Sequence, residues 1–252
     1  MNKFISFSGG VESTTMCLLF GANAKAITAD TGWEHPEMYA RWNKVESQIR
    51  DIHPDFEIIR VKNNDESLPE SIRRQKFFPG IQSRYCTRLF KIKPIDDFLK
   101  DKGDCELMIG LNADESERTG NHGLIKNVKY TYPLLENGIT RAACLMLLKR
   151  FGLEPAFPPY MARGGCMGCF FKSKKEFVAM QLLAPEQFSE VEAIERDIQD
   201  RRENYYSIRK DIPSMRGLRE QIENQTLLFG IDEIYDLAYQ EMQTSCGVFC
   251  HR

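Results

Sequence analysis

Apolar and polar positions fall into short blocks whose order spells strand, helix, strand. Phe4 to Phe7 is an apolar run that predicts a first strand, and a Ser-Gly-Gly turn follows it. Thr14 to Phe20 is a mainly apolar run and predicts a buried helix. Ala24 to Thr28 predicts a second strand, which ends at Asp30-Thr31-Gly32. Over Glu37 to Arg50, Met38, Trp42, Val45 and Ile49 recur at helical spacing. Phe56 to Val61 predicts a third strand. This alternation implies an α/β fold with a parallel sheet and right-handed crossovers.

Lys62 to Ser83 is polar and mixed, and reads as a loop over the strand ends. A helix is expected over Ile95 to Lys100 behind Pro94, and a fourth strand over Glu106 to Leu111. Tyr130 to Leu135 reads as a short extended segment. Thr140 to Phe151 predicts a helix, with Thr140 as N-cap and Gly152 as its stop. Pro155 to Gly165 is rich in Pro and Gly and must be irregular. Past Cys169 the composition changes. Lys174 to Arg202 and Ser214 to Gln243 predict helices, with Val191, Ile194 and Ile198 on one face. The expected organisation is therefore an α/β region over residues 1–170 and a helical region over 171–252.

The 252 residues suffice for one sizeable α/β domain with a helical appendage. A net charge of −2 excludes a global basic field that would drive non-specific nucleic-acid binding. Neither a signal-peptide pattern nor an apolar run of membrane-spanning length occurs, so the expected compartment is the cytoplasm, with no membrane partner. Eight cysteines then point to metal binding or catalysis rather than to a disulfide framework.

The string Ser8-Gly9-Gly10-Val11-Glu12-Ser13 joins the first strand, Phe4 to Phe7, to the first helix. Glycines let the backbone approach a ligand, helix amides attract an anion, and the Ser8 and Ser13 hydroxyls can donate to phosphate oxygens. A bare strand–helix turn is the plain alternative. It is not a Walker loop, because no Gly-Lys-Ser/Thr follows.

Four strings together resemble the phosphoadenosine phosphosulfate (PAPS) reductase family of the PP-loop, adenine nucleotide α-hydrolase-like superfamily. The first is the loop, usually Ser-Gly-Gly-x-Asp-Ser; Glu12 stands in for its acid. The second is Asp30-Thr31-Gly32, and the third is Cys86-Thr87 followed by Lys91-Ile92-Lys93-Pro94. The fourth is Gly110-Leu111-Asn112 with Glu115-Ser116 and Arg118, where Asn112 replaces the first Arg of the family's string. The resemblance implies a doubly wound parallel sheet. It implies that Ser6, Ser8, Gly9, Gly10, Glu12, Ser13, Asp30, Gly110, Glu115 and Ser116 surround an adenine nucleotide, ATP or a sulfonucleotide, and it admits Mg²⁺. Arg84, Lys91 and Arg118 would meet phosphate or sulfate, with Arg88 a weaker candidate.

Gly165-Cys166-Met167-Gly168-Cys169 is a Cys-x-x-Cys knuckle that can point two thiolates at one metal. The resemblance adds Cys86 and Cys144, the latter behind Gly138-Ile139-Thr140-Arg141. The expected set is thus Cys86, Cys144, Cys166 and Cys169 around a 4Fe–4S cluster, with structural zinc as the alternative. Cys17 and Cys105 read as core. The tail Cys246-Gly247 resembles the nucleophile of sulfonucleotide reductases, although Cys250 follows it; either cysteine could instead replace Cys86 or Cys144 as a ligand, and a frayed terminus is the plain alternative.

Two activities follow from the resemblance. One is sulfonucleotide reduction through Cys246 with a thiol reductant. The other is ATP-dependent sulfur transfer with a sulfur-donor protein. A catalytically inactive nucleotide-binding regulatory module, or a zinc-stabilised ATP pyrophosphatase acting on nucleic acid, is the alternative. Arg163, Lys172, Lys174 and Lys175 and the basic residues of the C-terminal helices could dock tRNA or DNA, but acidic residues interleave with them and the solvated-surface reading is favoured. Oligomerisation stays open.

Overall fold

A computed structural model describes residues 1–118, 125–203 and 205–224. Its centre is a five-stranded, all-parallel sheet in the order β3-β2-β1-β4-β5. The strands are β1 (Asn2–Ser6), β2 (Lys25–Asp30), β3 (Ile58–Lys62), β4 (Cys105–Met108) and β5 (Val128–Thr131). Their central residues are apolar on both faces, as a sheet covered by helices on both sides requires: Phe4, Ile5, Ala26, Ile27 and Leu107 are all buried.

Helices α1 (Val11–Phe20) and α2 (Pro36–Arg50) make the first two crossovers. The third is longer than the sequence suggests. Within the span expected to be a loop lies α3 (Leu68–Gln75). It is set by a capping box: the Ser67 side chain accepts from the amide of Glu70, and the Glu70 carboxylate accepts from Ser67 N at 2.7 Å. A short α4 (Tyr85–Thr87) runs through a π turn over Arg88–Ile92 into α5 (Lys93–Lys100). After β4 come a 3-10 turn (Ala113–Arg118), β5 and α6 (Pro133–Glu136). Thr140 caps α7 (Arg141–Arg150) by accepting from Ala143 N at 3.2 Å.

The C-terminal elements are α8 (Lys174–Leu183), α9 (Pro185–Gln199) and α10 (Met215–Glu223). The single helix expected over Lys174 to Arg202 is two, because Pro185 cannot continue the backbone ladder and restarts it as the first residue of α9. One apolar cluster runs without a break from Ile5 and Met16 through Trp33 and Met38 to Phe177, Phe188, Val191 and Ile194. Cys17 and Cys105 are buried in the interior, as expected.

Polar ties accompany this docking. Trp33 Nε1 donates to Glu190 of α9 at 2.8 Å. Gln187, also on α9, accepts from Nδ1 of His35 and donates to Glu37 at 3.3 Å. His35 is fully buried, and its Nε2 meets no polar partner among the described residues. Burial, aided by the charge of Lys172, pushes its pKa down to about 3. It is therefore neutral when folded and titrates only in the unfolded chain, at an ordinary value of about 6.5. As pH falls below that value the unfolded state gains a proton that the folded state refuses, so stability drops. Between pH 7 and pH 5 this amounts to about 2 kcal/mol. Urea unfolding of the parent and of His35→Asn at both pH values is expected to show that much less acid destabilisation in the variant.

Candidate functional site

The phosphate-loop turn lies at the point where the chain reverses its direction of progress across the sheet, between β1 and β4, where open α/β folds bind ligands. Ser6 is buried at the end of β1, and only residues 7–10 separate it from α1. Gly9 takes a φ of +79°, and a side chain there would also meet Met38 and Trp42. The first helical bond of α1 runs from Thr14 N to Gly10 O at 3.1 Å, so the amides of Val11, Glu12 and Ser13 precede it. The hydroxyls of Ser8 and Ser13 face each other at 3.2 Å; Ser13 Oγ accepts from Ser8 N at 3.2 Å and lies 3.3 Å from Gly10 O. Amides and hydroxyls thus gather at one helix end, which suits a phosphate.

β4 approaches this turn closely. A Cβ on Gly110 would lie 3.2 Å from Glu12 Cβ and 3.3 Å from Ser13 N. Beyond it, Asn112 is buried and donates from Nδ2 to Glu12 Oε1 at 3.1 Å. Glu12 is also buried, and Arg141 at the start of α7 forms an ion pair with the same oxygen. The 3-10 turn that follows contains Glu115, whose amide bonds Asn112 O at 3.1 Å, together with Ser116 and Arg118. On the other side of β1, Asp30 Oδ1 accepts from Gly32 N and from Tyr39 Oη, both at 2.8 Å, and so shapes the exit of β2.

Arg41 locks these pieces together. It is buried on α2 and donates to Gly9 O at 3.3 Å, Thr14 Oγ1 at 3.2 Å, Leu153 O at 2.5 Å and Glu154 O at 3.2 Å. Sequence reading passed over it. The available signal was its place three residues after Met38 and beside Trp42, on the apolar face of α2.

A second concavity lies beside the exit of β2. Cys86, Cys166 and Cys169 line it with Lys91, Arg163 and Trp33. The knuckle is anchored to the residues after β2: Met167 N donates to Trp33 O at 3.1 Å, and Cys166 Sγ contacts Thr31 Oγ1 at 3.3 Å and Glu34 Oε1 at 3.5 Å. Gly168 is required by proximity, since a Cβ there would lie 2.2 Å from the Trp33 ring. Burial pushes all three thiols up, most of all Cys166, while the charge of Lys91 pulls each back toward thiolate. Lys172 is buried beneath the knuckle, and Cys169 also feels its charge. The Arg84 and Arg163 guanidinium groups approach the Phe171 ring at 5.7 and 5.1 Å. Arg88 is exposed.

Cys144 is not among the residues that line this cavity. It is buried on α7, where it bonds Thr15 of α1 and feels the charges of Glu12 and Arg141. Of the four expected cysteines, Cys86, Cys166 and Cys169 thus share one concavity, while Cys144 lies where α7 meets α1. Soft thiols under cationic charge fit a thiolate-ligated iron–sulfur group. Among the described residues, no three His, Cys, Asp or Glu side chains converge as they must around a single metal ion. Cys246 and Cys250 lie outside the described residues. Among the described residues, no helix is long and apolar enough to cross a membrane.

Residues 2–135, more than half of the chain, match the family model of the phosphoadenosine phosphosulfate reductase domain. Among curated proteins none matches the chain. The matched span includes the phosphate loop, Asp30, Cys86 and the Gly110 to Arg118 stretch; the Cys-x-x-Cys knuckle falls beyond it.

The close approach of Gly110 to the loop gives a direct test. Gly110→Ala should cost about 1 kcal/mol, and Gly110→Val about 3 kcal/mol, since branched carbons press on the α1 backbone at Ser13. Chemical denaturation of both variants checks the order and the size.

Proposed function

This chain belongs to the phosphoadenosine phosphosulfate reductase family, and we propose that it is an enzyme that holds an adenine nucleotide on its phosphate loop and carries out ATP-dependent sulfur transfer beside an iron–sulfur cluster. The observation that carries this reading is the concavity shared by Cys86, Cys166, Cys169, Lys91 and Arg163, beside the same strand ends that bear the loop. In this reading, the loop amides with Ser8 and Ser13 hold the nucleotide phosphates, with Mg²⁺ as companion cation. Arg84, Lys91 and Arg118 supply positive charge to the phosphate oxygens.

Cys86, Cys166 and Cys169 would hold the cluster. Three soft thiols that share one wall with Lys91 and Arg163 are the donor chemistry such a cluster takes. The cluster, when bound, supplies a soft centre for sulfur. Lys91, Arg163 and Lys172 offset the negative charge of the thiolates. A fourth ligand would come from Cys246 or Cys250 of the tail.

Sulfonucleotide reduction is the second reading, favoured by the Cys246-Gly247 pair. There Cys246 attacks the sulfate sulfur of adenylylsulfate or its 3′-phosphorylated form, and the nucleotide leaves. A thiol reductant then releases sulfite from the enzyme thiosulfonate.

Anaerobic purification with iron, sulfide and zinc analysis tests the cofactor. Broad visible absorbance that is retained in Cys144→Ser and lost in Cys86→Ser, Cys166→Ser and Cys169→Ser is expected. A colourless zinc protein overturns the cluster. Pyrophosphate release from ATP with a nucleic-acid or small-molecule acceptor is expected for the first reading. Sulfite release from adenylylsulfate that disappears in Cys246→Ser establishes the second instead.

A further inference from the structure

Four residues close a hydrogen-bonded ring behind the phosphate loop. Asn112 Nδ2 donates to Glu12 Oε1 at 3.1 Å, and Asp114 N donates to Asn112 Oδ1 at 2.9 Å. Arg141 N donates to Asp114 Oδ2 at 2.9 Å, and the Arg141 guanidinium returns to Glu12 Oε1. The ring joins the first turn of α1, the segment after β4 and the first turn of α7. Glu12 and Arg141 are both mostly shielded, with side chains 11% and 16% exposed.

The ring has an electrostatic consequence. Glu12 is the second residue of α1 and adjoins Ser13, so its carboxylate stands beside the amides that face the anion. A buried carboxylate there would repel phosphate strongly, because little water screens it. Arg141 is the cation paired with it. Nε of Arg141 is buried and has no partner among the described residues, so the guanidinium is committed chiefly through its bond to Glu12.

We propose that Arg141 is a positioning residue that makes the phosphate loop able to accept an anion by neutralising Glu12, rather than by touching the ligand itself. This rests on the nucleotide-binding reading above. It distinguishes Glu12 as a group whose charge must be cancelled from Glu12 as a group whose charge is used, for example to hold a cation.

The test is a charge cycle read by calorimetric titration with ATP and with inorganic pyrophosphate, each with and without Mg²⁺, on the full chain. Arg141→Met should weaken both ligands at least ~10-fold, because the buried carboxylate is left unpaired. Glu12→Gln should bind as tightly as the parent or more tightly. The double variant Glu12→Gln/Arg141→Met should recover binding to within about threefold of the parent, since neither charge remains. Arg141→Lys, which keeps the charge, should bind nearly as the parent does and controls for folding, with thermal unfolding of every variant alongside. If the double variant binds as weakly as Arg141→Met, or Glu12→Gln abolishes Mg²⁺-dependent binding, the inference is overturned while nucleotide binding stands. A parent protein that binds neither ligand overturns the nucleotide reading itself.

Discussion

The buried guanidinium of Arg41 is the constraint on which the arrangement of the candidate sites depends. A charge removed from water costs several kcal/mol unless polar groups surround it. Here they do: two oxygens of the phosphate-loop region, from Gly9 and Thr14, and two carbonyls of the chain beyond α7, from Leu153 and Glu154. Burial lowers its pKa to about 10, which still leaves it protonated at neutral pH. Because a guanidinium is planar and its donors are fixed, the four acceptors cannot shift independently. The loop, α2 and the segment that leads to the Cys-x-x-Cys knuckle are therefore held in one geometry.

That geometry brings two chemistries close together. A Cβ on Gly9 of the phosphate loop would lie 3.1 Å from Met38 Cε, and one on Gly164, just before the knuckle, 2.8 Å from Met38 Sδ. One flexible, polarisable side chain thus borders both. The residues after β2 do the rest. Asp30 turns the strand exit toward α2, while Thr31, Trp33 and Glu34 hold Cys166 and Met167. The strand–glycine-turn–helix unit lies at the switch point of the sheet and the thiols lie one strand away, and packing rather than chain proximity joins them.

Much of the sheet was legible, because its strands are short apolar runs and its helices carry apolar residues at helical spacing. The strand–turn–helix around Gly9 and Gly10 was legible because two glycines separate an apolar strand from an apolar helix. Two misreadings have local causes. The polar content of Lys62 to Ser83 hid α3, though Ser67-Leu68-Pro69-Glu70 carries its capping box in plain sight. A helix expected to run through Pro185 was split there. The cysteines were legible only in part. Spacing along the chain shows which thiols are neighbours within a knuckle, but not which side of the sheet a helix cysteine reaches. Cys144 sits on a helix whose first turn is tied to α1, and only the tertiary path shows that.

The two departures from the family's strings, Glu12 for Asp and Asn112 for Arg, looked independent in the sequence because one hundred positions separate them. In space they are one feature: Asn112 Nδ2 bonds the Glu12 carboxylate. An Arg at position 112 would place a cation where Arg141 already pairs with Glu12. Two guanidinium groups on one carboxylate would leave a buried positive charge uncompensated, and that is costly. Asn keeps the hydrogen bond without the charge. The longer acid fits the same picture, since its oxygen has to reach both the segment after β4 and the start of α7. The substitutions that most weaken the match to the family are thus consistent with one another, and they leave the loop's amides and hydroxyls unaltered.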